Sequence, residues 1–199
     1  MSIYHEIAER SLMDCHAIGV DSLVLSEAPM VRMFVTRENH TLWRNAHSHP
    51  MSVGFHNHRT DLRLTSLSGT VYNITATPDD SGVPLRGFTW ESAIRGGSGE
   101  FRDAGHSMGF AFASANLLWP VSQRAHVLHT VYVPRGEIAA WIVEEADEDP
   151  YYEAFCYSNA DLAAFDSGSL YRSMSADVAK EHMRHVPGWL RSKFFCSTP

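Results

Sequence analysis

Residues 54–69 decide the fold of this chain, and they read Gly54-Phe-His-Asn-His-Arg-Thr-Asp-Leu-Arg-Leu-Thr-Ser-Leu-Ser-Gly69. Side chains two residues apart project from the same face of a β-strand, so a strand over 52–58 would direct the imidazoles of His56 and His58 towards one point. Two imidazoles from one strand make half of a metal site. A complete site needs at least one further ligand, which commonly comes from a strand remote in sequence and adjacent in space.

His129 is the candidate for that further ligand. It lies near the start of a predicted strand over 127–133, and Val131 and Val133 would point inward with it at a spacing of two residues. A histidine in an otherwise apolar lining would be a buried imidazole without a polar partner, which costs free energy. A bound metal ion would remove that cost.

Short runs rich in Val, Phe, Thr, Tyr and Trp, separated by Gly, Pro, Asn and Asp, continue from Met30 to about residue 145. Runs at intervals of roughly 8 to 12 residues predict the strands of a sandwich or barrel. Tight turns are predicted at 67–70 and 133–137, and surface loops at 78–87 and 95–109. The predicted strands are 31–36, 41–44, 52–58, 62–67, 70–77, 88–92, 108–114, 127–133 and 138–144.

Both ends of the chain carry helical patterns. Apolar residues recur among charges over 3–18, which predicts an N-terminal helix packed outside the strands. Near the other end, Asn159 and Ser175 are predicted N-caps of helices over 160–165 and 176–185. The chain is therefore predicted to be a single all-β domain with flanking helices. Its parts are a helical segment over 1–29, a β-barrel over 30–145 and a helical extension over 146–199.

Composition excludes several classes of protein. The formal net charge is −7, and no Lys/Arg block is present, so sequence-independent binding to nucleic acid is not expected. The longest apolar runs, 20–25 and 138–143, are far shorter than the roughly 20 residues that span a bilayer. The N-terminal residues lack the features of a secretory signal, and Cys15, Cys156 and Cys196 fit no disulfide framework. We expect a cytoplasmic protein that binds neither nucleic acid nor membrane.

The histidine pattern resembles the metal-binding cupins, which are jelly-roll barrels of the double-stranded β-helix type. The second motif of that family reads Pro-x-Gly-x-x-His, and residues 124–129 keep only its final histidine. The resemblance covers roughly residues 30–145. The first motif of compact cupins, His-x-His-x-x-Asp followed by Leu-x-Gly-x-Tyr, is matched by His56, His58, Asp61, Leu67, Gly69 and, shifted by one position, Tyr72.

The resemblance implies that His56, His58 and His129 bind a divalent metal ion. Iron(II) is the favoured metal, with zinc, manganese and nickel as alternatives. Asp61 would be either a fourth ligand or the acceptor that orients a ligating imidazole. If Asp61 cannot reach the ion, the site is a three-histidine facial site, which is similar to that of thiol dioxygenases. Three ligands on one face leave two or three positions open for substrate and dioxygen, or for substrate and water.

Arg63 and Tyr72 are the candidates for contact with a substrate. The Arg63 guanidinium could pair with a substrate carboxylate if a β-bulge turns it inward, whereas strict alternation from His58 would turn it outward. We expect a metal-dependent enzyme, an iron(II) dioxygenase acting on a small anionic molecule. A non-redox metal-dependent isomerase or lyase and a metal-free binding protein stay open as alternatives. Unpaired strand edges would also allow a homodimer.

Other histidines have simpler interpretations. His47 and His49 are predicted to lie in a polar loop, and would be candidates for proton transfer only beside the barrel mouth. His126 is predicted to face solvent, on the opposite strand face from the candidate ligand three residues later. His182 and His185 lie near the end of a predicted helix, where the helix dipole favours a cation.

Overall fold

The computed structural model describes residues 2–43, 53–90, 100–146, 153–162 and 169–195. Its helices are α1 (Ile3–Arg10), α2 (Ala176–His182) and α3 (Gly188–Phe195), with a 3₁₀ turn at Met183–His185. Its strands are β1 (Leu12–Met13), β2 (Val20–Glu27), β3 (Met30–Thr36), β4 (Phe55–His56), β5 (Leu62–Ser68), β6 (Tyr72–Trp90), β7 (Phe101–Asn116), β8 (Val121–Gln123), β9 (Leu128–Tyr132), β10 (Ala140–Glu145), β11 (Phe155–Ser158) and β12 (Arg172–Ser173).

The strands form two antiparallel sheets, as far as the described residues extend. The first sheet has seven strands in the order β12-β1-β2-β3-β10-β5-β8, and the second has five in the order β11-β4-β9-β6-β7. Strand β11 also pairs with the second half of β6. The prediction of a mainly β chain with short helices towards its ends is therefore confirmed.

An apolar core lies between the sheets, and helices cover the outer face of the first sheet. Leu64 of β5 and Trp141 of β10 are buried in the layer between the sheets. On the opposite face, Leu23 of β2 and Met33 of β3 belong to a second buried cluster with Ile7 of α1. The first sheet is thus buried on both faces, and the N-terminal helix packs outside the strands as predicted.

Both predicted turns, at 67–70 and 133–137, connect a strand of one sheet with a strand of the other. Gly69 lies between β5 and β6 and has a φ of +70°. A Cβ atom at this position would lie 2.8 Å from the carbonyl oxygen of Ile138. Both the backbone conformation and the lack of space therefore require glycine at this crossing.

The N-terminal helix is shorter than the predicted 3–18. It ends at Arg10 and is followed by β1 and β2. The Ser11 hydroxyl donates to the Ile7 carbonyl at 2.6 Å and accepts from the Val24 N–H at 3.0 Å, so Ser11 joins the end of α1 to β2. The first six residues of β2 are all buried. A strand covered on both faces shows no alternation of polar and apolar residues, which is why the sequence did not reveal it.

The predicted loops over 78–87 and 95–109 are wrong in the parts that the structure describes. Residues 78–87 belong to β6 and residues 101–109 to β7, and the two strands form one long ladder. The register shifts between Pro78 and Val83. The residues between them form a bulge, beyond which the pairing resumes, so Pro and Gly interrupt the ladder here without ending the strand.

Shorter segments also differ from prediction. Residues 41–43 form a bend and turn rather than a strand, and residues 155–158, predicted to belong to a helical extension, form β11 between β4 and β6. The helix predicted over 160–165 lies partly outside the described residues. The predicted cap of α2 is confirmed, because the Ser175 hydroxyl accepts from the Val178 N–H at 3.3 Å. Within the described segments, no helix is long and apolar enough to cross a membrane.

Candidate metal centre

A cavity of about 490 Å³ lies between the two sheets. Its apolar wall comes mainly from the first sheet and includes Leu62, Leu64 and Trp141. Its polar end is lined by histidines, among them His56 and His129 of the second sheet. The volume is within the range of pockets that enclose small ligands. A small molecule inside the cavity would therefore contact apolar side chains and imidazoles together.

The structure brings together the three histidines singled out in the sequence. The ring centroids of His56, His58 and His129 lie 4.9 to 5.2 Å apart. One nitrogen of each ring lies within 4.8 Å of the corresponding nitrogens of the other two. The Nε2 atoms of His58 and His129 are 2.8 Å apart. This cluster could hold a metal ion.

Backbone pairing explains why the three rings meet. His56 in β4 is the register partner of His129 in β9, so the two side chains stand opposite each other on one face of the second sheet. Strand β4 ends at His56, two residues before the end of the predicted strand, and His58 lies beyond it. The His58 N–H donates to the Ala125 carbonyl at 3.1 Å. This bond keeps the chain extended far enough for the two-residue spacing to direct both imidazoles into the cavity.

Hydrogen bonds on the far side of two rings fix which nitrogen faces the cavity. Nδ1–H of His129 donates to Oδ1 of Asn73 at 2.6 Å, and Asn73 donates through Nδ2 to Oε1 of Gln123 at 3.0 Å. Nδ1–H of His56 donates to the Gly54 carbonyl at 3.1 Å. With Nδ1 protonated, Nε2 of each ring keeps its lone pair. Such outer contacts set the tautomer and orientation of metal-binding imidazoles in proteins.

Burial keeps the cluster neutral. Desolvation lowers the pKa of His56 to about 4, and it lowers the pKa values of His58 and His129 well below their usual value. The neighbouring imidazoles add to the effect for His58 and His129, because each would repel a second positive charge. Since a metal ion binds the neutral imidazole, the rings are in the ligating state at neutral pH.

A fourth histidine lies against the cluster, and the sequence did not predict it. Nδ1 of His16 is 3.1 Å from Nε2 of His56, and the two ring centroids are 4.6 Å apart. Desolvation lowers the pKa of His16 well below its usual value as well. His16 lies between β1 and β2, within the segment for which a helix was predicted. No local motif in the sequence distinguishes it.

The cavity also contains an ion pair that the sequence did not reveal. Nε of Arg32 in β3 lies 2.9 Å from Oε1 of Glu145 in β10, and both residues line the cavity. The Arg32 side chain is 29% exposed, so it is reachable from the cavity. Arg32 shares its strand face with Phe34, which also lines the cavity. The Arg32–Glu145 ion pair therefore places a guanidinium and a carboxylate together in the wall of the cavity.

Arg63 lies outside the cavity. Leu62 and Leu64 point inward, and no bulge turns Arg63 between them. Its side chain is 61% exposed, and its Nε lies 3.8 Å from Oε2 of Glu144 on the neighbouring strand. Strict alternation therefore holds from Leu62 to Leu64, and the described arginines that line the cavity are Arg32 and Arg59 rather than Arg63.

Asp61 does not join the three imidazoles, so its predicted role as a ligand or as their direct acceptor is corrected. Its Oδ1 accepts from the Ala125 N–H at 2.9 Å and its Oδ2 from Arg124 at 2.8 Å. These two bonds lower the pKa of the Asp61 carboxyl. The carbonyl of the same Ala125 accepts from the His58 N–H. Asp61 thus holds the turn that positions the His58 backbone.

The remaining predicted residues lie away from the cluster. Tyr72 does not line the cavity and packs near Tyr132, with ring centroids 6.0 Å apart. His126 is exposed, as predicted. His47 and His49 lie outside the described residues. His182 is buried rather than placed at a solvated helix end, and its Nε2 lies 2.8 Å from Oδ2 of the buried Asp21, which explains its position in the core.

Comparison of the chain with protein-family models and with curated proteins finds no match. The described residues establish two facing β-sheets, an internal cavity and three converging imidazoles. A sandwich of this kind is compatible with many functions, so function has to follow from the chemistry of the site.

Proposed function

We propose that this chain is a metal-dependent enzyme of the cupin type, an iron(II) dioxygenase that acts on a small anionic molecule. The observation that carries the proposal is the convergence of His56, His58 and His129 at the polar end of an internal cavity. Three neutral nitrogen ligands beside a cavity would leave open positions on the ion, which a metal ion needs to bind dioxygen and a substrate.

The spacing of the nitrogens supports an ion with open positions. Two nitrogens bound about 2.0 to 2.1 Å from one ion lie about 2.8 to 3.0 Å apart at an angle of 90°, and about 3.3 to 3.4 Å apart in a tetrahedron. The Nε2 atoms of His58 and His129 are separated by 2.8 Å. This distance fits two neighbouring ligands of an octahedral ion. Three protein ligands occupy three of the six coordination positions of such an ion and leave three free.

The hydrogen bonds around the cluster direct two lone pairs towards the point where an ion can bind. His56 and His129 already use their Nδ1–H groups towards Gly54 and Asn73, so both present lone pairs to the centre. An N–H of His58 can satisfy the lone pair of His129, and an N–H of His16 can satisfy that of His56, so hydrogen bonds can also close the cluster. A divalent cation satisfies all three rings at once.

The residues of the cavity would select and orient the substrate. A ferrous ion, when bound, supplies coordination positions for an anionic substrate and for dioxygen. Arg32 carries five N–H donors, so its guanidinium can hold a substrate carboxylate while it remains paired with Glu145. The apolar wall around Leu64 and Trp141 would exclude water from the reacting groups. A cavity of about 490 Å³ limits the substrate to a small molecule.

Nitric oxide, a stable substitute for dioxygen, tests the proposal without knowledge of the substrate. The full chain is purified without a histidine tag, loaded with iron(II) under anaerobic conditions and exposed to nitric oxide. We expect the electron paramagnetic resonance signal of a ferrous nitrosyl complex. The signal should be lost in His58→Ala and retained in His126→Ala, because His126 is exposed and outside the cluster. An iron-loaded protein that gives no such signal would contradict an oxygen-activating function.

Oxygen uptake then distinguishes redox from non-redox chemistry. The iron-loaded chain is screened against small amino acids, thiol carboxylates, hydroxy acids and aromatic acids in an oxygen electrode. We expect uptake that requires both iron and one class of acid. Turnover of an acid by the zinc or manganese protein without oxygen would instead identify an isomerase or lyase in which the ion acts as a Lewis acid.

A further inference from the structure

We propose that His16 is a fourth nitrogen ligand of the same ion, supplied by the loop between β1 and β2. This inference rests on the proposed metal site and deepens it. Nδ1 of His16 lies 3.1 Å from Nε2 of His56. That distance is close to the separation of about 3.0 Å expected for two imidazole nitrogens at 90° around one ion. The nitrogens of His16 do not lie within 4.8 Å of those of all three other histidines at once, so ligation requires its imidazole to move towards the cluster. The ion would then be bound by four imidazoles, three from the histidines predicted from the sequence and one from His16, which is remote from them in the chain.

The tautomer of His16 distinguishes a metal ligand from a simple hydrogen-bond donor. Nδ1–H of His56 donates to the Gly54 carbonyl, so Nε2 carries the only lone pair of that ring. If Nδ1–H of His16 donated to this lone pair, His56 could not bind the ion and the site would lose one of its three ligands. For His56 to ligate, Nδ1 of His16 must be unprotonated. Two lone pairs then face the same region, which is the arrangement of two ligands of one cation.

The loop that carries His16 is held in place by its own polar contacts. The Asp14 carboxylate accepts from the Gly19 N–H at 2.7 Å and from Nε of Arg172 at 2.8 Å. The carbonyl of His16 accepts from the Val53 N–H at 2.9 Å, one residue before Gly54. These bonds fix both the loop and its attachment to the segment that carries His56. The imidazole of His16 is therefore presented to the cluster by a defined backbone.

His16 has a backbone conformation that is uncommon for residues other than glycine. Its φ is +67°, in the left-handed region. Histidine is among the few side chains enriched in this region, and residues held there cluster at binding sites. Its ring packs between those of Phe34 and Tyr171, with centroids 6.4 and 5.8 Å away. Nothing in these apolar contacts requires an imidazole, whereas metal ligation does.

A fourth imidazole would also define the chemistry of the substrate. The fourth ligand of the family that the chain resembles is an acidic residue, and Asp61 does not reach the cluster. Four neutral ligands leave the ion its full charge of 2+, and two positions of an octahedron remain. One position then takes dioxygen and the other takes a single atom of the substrate, and the charge of the ion favours an anionic atom there. Arg32 would hold a further anionic group of the same molecule.

The experiment counts the imidazoles bound to a metal. The untagged full chain is loaded with copper(II), and pulsed electron paramagnetic resonance counts the imidazole nitrogens coupled to the ion. We expect four imidazoles in the unaltered chain, three in His16→Gly and four in His126→Gly. Glycine is the substitution of choice because it adopts a φ of +67° without strain. Circular dichroism and thermal unfolding verify that the variants fold.

The outcomes separate this inference from the proposed function. Three imidazoles in the unaltered chain would overturn the role of His16 and leave the three-histidine site intact, and this result does not depend on any variant. Binding of no copper by the unaltered chain would overturn both. If His16→Gly does not fold, His16→Asn replaces it, because Asn also tolerates the left-handed region. A count that stays at four in the folded variant would likewise exclude His16.

Discussion

Replacement of Asn73 by leucine tests the outer contacts of the metal centre. Asn73 is 1% exposed and connects His129, at 2.6 Å, to Gln123, at 3.0 Å. Leucine has the same branched arrangement of four side-chain heavy atoms, with a larger volume. The substitution removes both hydrogen bonds and leaves the Nδ1–H of His129 and the Oε1 of Gln123 buried without partners.

The expected loss of stability follows from the two polar groups that the substitution leaves unpaired. A buried polar group without a partner costs about 1 to 3 kcal/mol, so Asn73→Leu should lower the free energy of unfolding of the metal-free chain by about 2 to 6 kcal/mol. Loss of the contact that orients a ligating imidazole should weaken metal binding about 10- to 100-fold. Urea unfolding measures the first quantity, and competition with a chelator of known affinity measures the second.

Asn73→Asp is the matched control. Aspartate keeps an acceptor for Nδ1–H of His129 and loses the donor to Gln123. We expect a smaller loss of stability than with leucine and metal affinity equal to or above that of the unaltered chain, because carboxylates commonly orient metal-bound histidines. The reasoning is refuted if Asn73→Leu binds metal as tightly as the unaltered chain, or if both substitutions weaken binding equally.

Three further predictions concern acidity, charge and thiols. Lowering the pH from about 7.5 to about 5 should destabilise the metal-free chain, because the pKa of His56 is about 4 in the folded chain and 6.5 in the unfolded chain. The contribution of His56 to the free energy of unfolding is fully present above pH 6.5 and is lost as the pH falls towards 4. At about pH 5 this loss is about 2 kcal/mol for His56 alone. Equal urea midpoints at both pH values would contradict this. Arg32→Gln should raise KM roughly 10- to 150-fold for the acid identified by oxygen uptake, and Arg63→Gln should leave KM unchanged. A larger effect of Arg63→Gln than of Arg32→Gln on KM would assign the substrate contact to Arg63. Burial raises the pKa values of Cys15 and Cys156 to about 12, so iodoacetamide should modify neither in the folded chain and both in urea, as mass spectrometry can determine.

The three-histidine cluster could be predicted because it depends on simple periodicity. His56 and His58 are two residues apart, and His129 begins a strand that register places directly opposite His56. Side-chain alternation correctly predicts that His56 and His58 point to the same side, even though β4 ends before His58. Strict alternation turns Arg63 outward in the structure, whereas its assignment to substrate contact required a bulge that turns it inward.

Arg32 illustrates why alternation alone does not identify the cavity. Strand β3 alternates Val31, Met33 and Val35 with Arg32 and Phe34. The apolar set would ordinarily be assigned to the space between the sheets. In the structure these valines and the methionine face the helices on the outside of the first sheet, and Arg32 and Phe34 face the cavity. A strand buried on both faces has no polar side from which its orientation could be read.

His16 could not be predicted from the sequence for a different reason. Its position depends on a left-handed backbone conformation and on long-range contacts of Asp14 with Arg172, 158 residues away in the chain. Local periodicity over 3–18 instead favours a helix. Tertiary contacts override that tendency from Ser11 onward, where the chain turns into β1 and β2.

Metal content is the most direct test of the central claim that His56, His58 and His129 bind a divalent ion. The untagged chain and its variants His58→Ala and His126→Ala are reconstituted with iron(II) in the absence of oxygen and freed of excess metal. Elemental mass spectrometry then measures the iron content of each protein. We expect about one ion per chain in the unaltered protein and in His126→Ala, and a several-fold lower content in His58→Ala. Less than about 0.1 ion per chain in the unaltered protein, or equal contents in all three, would contradict the claim.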